Sequence, residues 1–223
     1  MNKDLLFTLE DLEIPLYAMG FTARDQEQMK KNLKALDKMG ISYPKEFPQL
    51  YPCQKYLLTP KSEIEVVSEN TCGEVEYIIL KKSEEYFIGV GSDHADKVVE
   101  KNSIINSKQL CAKHYSKEFW RLEDVIDHWD DIIIRSYQKE VNGKDKLLYQ
   151  EGHLYQILSV KDTIQFVEKK LKNKEEYIVF GGSIASHLDV IYGEEFYYEM
   201  EDPQLSRKIK SSYKINNICK EII

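Results

Sequence analysis

Apolar and polar residues alternate along much of the second half of this chain, and that pattern is typical of β-strands. Strand-like segments follow one another across short polar turns, which favours antiparallel hairpins. One hairpin spans residues 130–150 and contains Asn142-Gly143, a strong signal for a two-residue turn. The other predicted strands are residues 5–9, 74–81, 85–91, 177–181, 195–201 and 207–215.

Two segments instead place their apolar residues at helical spacing. Residues 22–39 start with a capping-box-like pair, Thr22 and Asp25, and stop before a glycine. Residues 159–171 form the second predicted helix, which Ser159 can cap. The residues expected to face the core are Met29, Leu33, Leu36 and Met39 in the first helix and Val160, Ile164, Val167 and Leu171 in the second.

Residues 41–60 are rich in proline, which argues against a helix or a strand there. We interpret the segment as an extended connector that either crosses the body of the protein or forms a mobile cover. The whole pattern predicts an α+β fold, a β-rich roll or sandwich with a short N-terminal helical section. Residues 1–60 would hold the N-terminal strand, the helix and the connector. Residues 61–223 would form the strand-rich part of a single compact unit.

Length and charge narrow the function classes. The 223 residues can bury a core without disulfides or structural metal. A net charge of −7 without any Lys/Arg-rich block argues against a nucleic-acid partner. Acidic residues interrupt the apolar core that a signal peptide would need, and no apolar run approaches the length of a membrane span. The cysteines are widely spaced and form no CxxC pair, so a reducing cytoplasm is the expected location.

Acidic side chains concentrate in one region of the predicted sheet. Glu74 and Glu76 lie two residues apart on a strand, so they face the same side, roughly 6.5–7 Å apart. Ile78 and Leu80 continue that side, which is therefore not simply solvated. Two such carboxylates repel each other unless a cation lies between them, and Asp93 in the following loop would complete an oxygen site for Mg²⁺ or Mn²⁺. The alternative is a solvated edge strand.

The order of several short motifs resembles the fumarylacetoacetate hydrolase superfamily, and most of all a branch of short bacterial proteins that is functionally uncharacterised. The resemblance spans about residues 70–215, and the shared order of the motifs makes it fairly specific. The matches are Glu74-Val75-Glu76 for an E-x-E strand, Ser92-Asp93-His94-Ala95-Asp96-Lys97 for an N-D-x-S-A-R-D loop, Lys108 in "SKQLCAK" for a K-S-F motif, Val141-Asn142-Gly143 with Gln150 for a V-N-G-x-x-x-Q hairpin, Gly182-Ser183 for a G-T-P turn, and "YGEEFYYEMEDP" for a late strand.

The resemblance implies a compact β-roll, usually dimeric, with a divalent cation held by Glu74, Glu76 and Asp93. It also implies a small 2-oxo acid, acylpyruvate or related dicarbonyl as substrate, and hydrolysis, decarboxylation, hydration or tautomerisation as the reaction. A metal can bind a carboxylate and the adjacent carbonyl oxygen together and stabilise the enolate that forms when a C–C bond breaks. Lys108 would add a positive charge beside the oxyanion, and Ser183 would hold the substrate carboxylate or the water on the metal.

Further site residues follow from the same motifs. Lys97 stands at the position of the loop arginine and is a candidate for catalysis. Gly182 and Gln150 are candidates for substrate binding, because they lie in the matched turn and after the matched hairpin. Arg24, at the start of the first predicted helix, is either a clamp for a substrate carboxylate or a capping and salt-bridge residue.

The chain departs from the superfamily in its candidate base. The hydrolases carry a His–Glu pair on an N-terminal or lid segment, but this chain has no histidine before His94. Either His94 has taken over proton transfer, with Asp96 as its partner if the loop folds back, or the reaction needs no such base. We expect the larger catalytic role for Lys108, because an extended loop would turn His94 away from the metal.

These observations favour a metal-dependent hydrolase or lyase. The alternatives are a non-catalytic protein that binds a metal or a metabolite on the same fold, and an interaction protein whose acidic face is merely solvated.

Overall fold

A computed structural model describes residues 5–9, 13–37, 44–140, 143–189 and 192–221, apart from the side chains of residues 32 and 34–37. The strands are β1 (Leu5–Leu6), β2 (Leu16–Gly20), β3 (Gln49–Cys53), β4 (Leu58–Thr59), β5 (Glu63–Val66), β6 (Thr71–Cys72), β7 (Val75–Lys82), β8 (Glu85–Asp93), β9 (Ala95–Asp96), β10 (Lys113–Tyr115), β11 (Glu118–Arg121), β12 (Ile133–Glu140), β13 (Lys146–His153), β14 (Glu176–Ser183), β15 (Gly193–Asp202) and β16 (Arg207–Asn217). The α-helices are α1 (Gln26–Asp37), α2 (Lys97–Glu100), α3 (Ile104–Gln109), α4 (Leu122–Val125) and α5 (Val160–Lys170).

Most of these strands form two sheets. In the larger sheet the strands run in the order β1-β11-β8-β7-β14-β2-β3, with β10 beside β8 and β4 beside β10. The smaller sheet has the order β13-β12-β15-β16-β5, and β6 pairs with β9 in a short ribbon. Neighbours are mostly antiparallel, but β2 runs parallel to β14, β4 to β10 and β5 to β16.

Strand β7 lies inside the larger sheet and is buried on both faces. Tyr77 and Ile79 belong to the core cluster that also contains Phe196 of the smaller sheet. Ile78 and Leu80 point the other way and belong to a second apolar cluster. A carboxylate on such a strand is removed from water whichever way it points, so its polar partners decide its state.

The predicted β-rich α+β fold is confirmed. Strands β7, β8, β14, β15 and β16 lie within a few residues of their predicted bounds, and the hairpin of residues 130–150 is formed by β12 and β13. Helix α5 follows Ser159, whose hydroxyl accepts a hydrogen bond from the Asp162 amide, as the capping argument predicts. Residues 38–39 of the first predicted helix and residues 141–142 of the hairpin motif lie outside the described residues.

The interpretation of residues 41–60 as a connector without regular structure is wrong, because β3 lies there. β3 pairs with β2 from Leu16 and Cys53 to Gly20 and Gln49. Pro52 can lie in β3 because this strand is at the edge of the sheet, where a residue without an N–H is tolerated. The sheet thus joins strands from both sides of residues 60 and 61, and the proposed boundary there remains a prediction. Helices α2 and α3 were not anticipated. No described helix is both long and apolar enough to cross a bilayer.

Candidate active site

The β7–β8 hairpin places the backbones of the three predicted acidic residues next to one another. Val75 on β7 pairs with Ser92 on β8, and the Asp93 amide donates a hydrogen bond of 3.0 Å to the Glu74 carbonyl. The sequence placed Asp93 in a loop, whereas it is the last residue of β8. This extension of the strand fixes Asp93 beside Glu74 and Glu76 by sheet register.

Glu76 is a buried acid whose negative charge is only partly offset by its neighbours. Its side chain is 1% exposed, and its Oε2 accepts a hydrogen bond of 2.9 Å from the Gly182 amide. Burial raises the pKa of Glu76 to about 8, and the charge of Asp93 adds to the rise, while Lys108 and the Gly182 N–H oppose it. A further positive charge at the site would therefore stabilise the ionised form of Glu76.

Asp93 is fully buried between two lysines. Lys108 contacts its Oδ2, and the Lys113 ammonium lies 2.8 Å from its Oδ1. Burial alone would raise the pKa of Asp93, but these two ammonium groups lower it well below the ordinary range. Within the close pair of acids, Asp93 thus keeps the negative charge and Glu76 is the acid that favours a proton.

Lys113 is the residue of this site that the sequence argument missed. Its side chain is fully buried, and its Nζ also donates a hydrogen bond of 2.6 Å to the His94 carbonyl. The reason is the pairing of β10 with β8, which places Lys113 opposite Asp93. The matched stretch "SKQLCAK" contains both Lys108 and Lys113, so a second candidate lysine was visible, but the register that selects it was not.

Glu74 lies at the edge of the site and is partly exposed. Its Oε1 accepts a hydrogen bond of 2.8 Å from Lys97, which also donates one of 2.9 Å to Glu100. Burial alone would lower the pKa of Lys97, but these two carboxylates raise it far above its ordinary value. Asp96 caps α2 by accepting hydrogen bonds from the amides of residues 98 and 99, and no described contact joins it to His94.

The predicted turn at Gly182-Ser183 forms another wall. Gly182 has a φ of +98°, and a Cβ there would overlap the Thr22 side chain, so the position requires glycine. The register of β14 with β7 shifts between Phe180 and Ser183, and this bulge points the Gly182 amide at Glu76. The turn therefore binds the buried acid as well as lining the site.

Gln150 connects this turn by hydrogen bonds to strands β7 and β12. Its Nε2 donates to Ser183 Oγ at 2.6 Å and to the Ile184 carbonyl at 2.9 Å. Its Oε1 accepts from the Val75 amide at 2.9 Å and from Ser136 Oγ at 2.8 Å. Since all four bonds are internal, Gln150 positions Ser183 beside the carboxylates.

Two predicted residues lie elsewhere. His94 is fully buried, and its Nδ1 shares a hydrogen bond of 2.8 Å with the Tyr213 hydroxyl, on the side of the smaller sheet. Its pKa is lowered to about 3, by burial first and then by Lys113, so the imidazole is neutral. Arg24 forms two hydrogen bonds of 2.7 and 2.8 Å with Asp130, and a third from Nε to a carbonyl. This matches the salt-bridge interpretation of Arg24.

Glu74 and Glu76 line a cavity of about 280 Å³, and Asp93 lies behind Lys108 without being one of the lining residues. The polar lining of the cavity contains Glu74, Glu76, Glu100, Lys108, Gly182 and Ser183. The other lining residues come from the end of β2, the segment that leads into α1, α1 itself and α3, and most of them are apolar: Met19, Gly20, Phe21, Thr22, Ala23, Met29 and Ile104. The site is thus a small pocket lined by both charged and apolar residues.

By chemical type, Glu74, Glu76 and Asp93 fit a hard divalent cation. In their present arrangement, however, no three His, Cys, Asp or Glu side chains in the described part of the chain are gathered closely enough to hold one. Asp93 is instead paired with Lys108 and Lys113. The three carboxylates are suitable ligands for such a metal, and lysine ammonium groups now bind one of them.

Comparison with known proteins agrees with the fold and the motifs. Residues 19–213 match the family described as "Protein of unknown function (DUF2848)". No curated protein matches the sequence. The resemblance to the fumarylacetoacetate hydrolase superfamily, and to an uncharacterised branch of it, is confirmed.

Solved structures share the fold at low identity. A structure of Cg1458 with inhibitor has a TM-score of 0.68 at 16% identity, covering 91% of this chain and 77% of that chain. A 5-carboxymethyl-2-hydroxymuconate delta-isomerase from Mycobacterium smegmatis has a TM-score of 0.65 at 13% identity, covering 95% and 81%. A 2-keto-3-deoxy-D-arabinonate dehydratase complexed with magnesium and 2,5-dioxopentanoate has a TM-score of 0.61 at 11% identity, covering 91% and 72%.

Proposed function

The chain belongs to the DUF2848 family of proteins of unknown function, and we propose that it is an enzyme acting on a small 2-oxo acid, acylpyruvate or related dicarbonyl with Mg²⁺ or Mn²⁺. The observation that carries the proposal is the single cavity that Glu74, Glu76, Lys108 and Ser183 all line. Its volume of about 280 Å³ is near the lower end of ordinary ligand pockets, roughly 300–1,000 Å³, so it suits a small substrate.

The charge of the pocket supports a bound cation. Glu74, Glu76 and Glu100 line it, and Lys108 is the one cation among the described lining residues. An anionic oxo acid would be repelled by these carboxylates, whereas Mg²⁺ or Mn²⁺ held by Glu74, Glu76 and Asp93 would offset two of the negative charges. When bound, such a cation would polarise the carbonyl and carboxylate oxygens of the substrate.

The chain's own residues would then bind and orient the substrate. Ser183 accepts a hydrogen bond from Gln150 and donates one to the Ile184 carbonyl, and it would transfer that donor to the substrate carboxylate. Lys97 orients Glu74 from outside the cavity, and Lys113 keeps Asp93 ionised from behind it. Lys108 is a cation rather than a base, because Asp93 and then Glu76 raise its pKa although burial alone would lower it. It can therefore stabilise developing negative charge.

Two further observations bear on the reaction type. His94 contacts Tyr213 rather than the cavity, which favours a reaction without a histidine base, such as decarboxylation, dehydration or tautomerisation, over hydrolysis. Among the structural relatives, one is named an isomerase and one a dehydratase complexed with magnesium and an oxo acid. At 11–13% identity these relatives support the class of enzyme and not a particular substrate.

Thermal unfolding with and without divalent cations tests the proposal. Mg²⁺ or Mn²⁺ at a hundred times Kd should raise Tm by about 5–10 °C for a chain of this size, because the ion binds the folded state alone. Glu76→Ala should abolish the rise, whereas Glu175→Ala, a change at an exposed position, should keep it. A panel of oxaloacetate, acylpyruvates and other dicarbonyls, assayed with the ion and with a chelator, should reveal turnover that requires the ion.

The outcomes separate the two candidate functions. A Tm rise that depends on Glu76, together with no turnover of any dicarbonyl, would favour a non-catalytic metal- or metabolite-binding protein. No Tm rise and no turnover would contradict both. A cytoplasmic location and a homodimer remain predictions.

A further inference from the structure

Lys108 is placed differently from the other two lysines of the site. Lys113 is fully buried behind Asp93 on a sheet strand, and Lys97 binds Glu74 and Glu100. Lys108 alone among them lines the cavity, where its ammonium contacts Asp93. Since Lys113 also pairs with Asp93 at 2.8 Å, Asp93 has a second cationic partner that does not depend on Lys108.

The Lys108 ammonium lies among the carboxylates that would hold a divalent cation. Asp93 touches it, and Glu76 and Glu74 are near enough to stabilise its charged form. A divalent ion held by the same oxygens would therefore meet a resident positive charge at close range, and the two repel each other strongly in a buried site. Both cannot occupy the carboxylates in the present arrangement.

The side chain of Lys108 can reach a second position, next to Tyr51. It is carried by α3 on the cavity wall, and its four-carbon stem allows the ammonium to swing. The Lys108 Nζ already lies 5.9 Å from the centre of the Tyr51 ring on β3. The Tyr51 hydroxyl oxygen is buried and has no hydrogen-bond partner among the described residues. A displaced ammonium could donate to that oxygen and remain over the ring.

We propose that Lys108 is a displaceable internal counter-ion, which occupies the carboxylate site while no divalent cation is bound and moves towards Tyr51 when one binds. This inference rests on the proposed function, since it concerns the same site. Its consequence is that Lys108 weakens cation binding. The residue then sets how much divalent ion the protein needs, and it keeps the buried acids paired at lower concentrations.

The test measures ion binding by the full chain without substrate. Isothermal titration calorimetry with Mn²⁺ and with Mg²⁺ should give a Kd at least about tenfold lower for Lys108→Met than for the wild type, because a competing unit charge is removed. Lys101→Met is the matched control, since it removes the same charge from an exposed position nearby and should leave Kd within about twofold. Lys108→Gln is the second variant if Lys108→Met does not fold.

Tyr51→Leu completes the experiment. It should weaken cation binding in the wild type by removing the place that receives the ammonium, and it should have no such effect in Lys108→Met. An unchanged or higher Kd in both Lys108 variants overturns the inference while leaving the proposed metal site intact. No binding by the wild type or by either Lys108 variant overturns the inference and the metal-dependent function together. Binding by the Lys108 variants and not by the wild type supports the inference.

Discussion

Removing Lys113 tests whether the ion pairs inside the site stabilise the fold. Lys113→Met keeps a side chain of similar length and deletes the ammonium that lies 2.8 Å from Asp93 Oδ1 and donates a hydrogen bond of 2.6 Å to the His94 carbonyl. Both Lys113 and Asp93 are fully buried, so water does not replace what is lost. The unfolded chain makes neither contact, so the substitution destabilises the folded state alone.

The magnitude follows from these contacts. Breaking a buried ion pair costs about 3–5 kcal/mol, and a hydrogen bond from a charged donor contributes about 1.5–3 kcal/mol. Because Asp93 retains Lys108 and is not left as an unpaired buried charge, the ion-pair loss should fall below that range, to about 1.5–2 kcal/mol. We therefore expect Lys113→Met to lower the free energy of unfolding by about 3–5 kcal/mol. A typical domain has about 5–15 kcal/mol, so the variant should still fold.

Urea unfolding without divalent ions, at pH 7 and 25 °C, gives this free energy directly. The same measurement on Asp93→Asn and on the double variant should show a coupling of at least about 1.5 kcal/mol, because the two groups touch. Lys101→Met, at an exposed position, should change stability by less than about 0.5 kcal/mol and add independently to Asp93→Asn.

The coupling should also depend on pH in a fixed direction. The pKa of Asp93 is lowered in the folded state, so its contribution is fully present above its ordinary value of 3.8 and is lost as the pH falls from there towards the folded pKa. The coupling measured at pH 3 should therefore be smaller than at pH 7. A loss below about 1 kcal/mol for Lys113→Met, or strict additivity with Asp93→Asn at pH 7, would refute the reasoning.

Two further predictions concern buried polar groups. Gln150→Leu should lower the free energy of unfolding by at least about 3 kcal/mol, because it removes the hydrogen-bond partner of the Val75 amide and of other buried groups. Gln138→Leu should be neutral or stabilising, because neither of the buried amide atoms of Gln138 has a partner among the described residues. Urea unfolding of both variants checks this, and equal losses would contradict it. Burial lowers the pKa of His114 to about 4, so stability should fall as the pH drops from 6.5 to 4, while the unfolded chain takes up the proton that the folded chain excludes. His114→Gln should flatten that slope in pH-dependent thermal unfolding, and an unchanged slope would count against a neutral His114.

The local pattern of the sequence determined the long strands, helix α5 and the identity of the acids. Alternation placed Glu74 and Glu76 on one side of a strand, and the apolar residues beyond them indicated that this side is not solvated. The structure agrees, since Ile78 and Leu80 pack in an apolar cluster of their own and Glu76 is buried. Such features depend on residues a few positions apart, so they can be predicted from one sequence.

The tertiary structure decided what the acids touch. Sheet register places Lys113 opposite Asp93, and pairing to β2 makes a strand of the proline-containing residues 49–53. The packing of Tyr213 of the smaller sheet against the end of β8 gives His94 a partner away from the cavity. These contacts join residues far apart in the chain, and no local periodicity encodes which strands become neighbours or in which register. The types of the charged groups were therefore predictable, but their pairing was not, because the pairing depends on distances that only the folded chain sets.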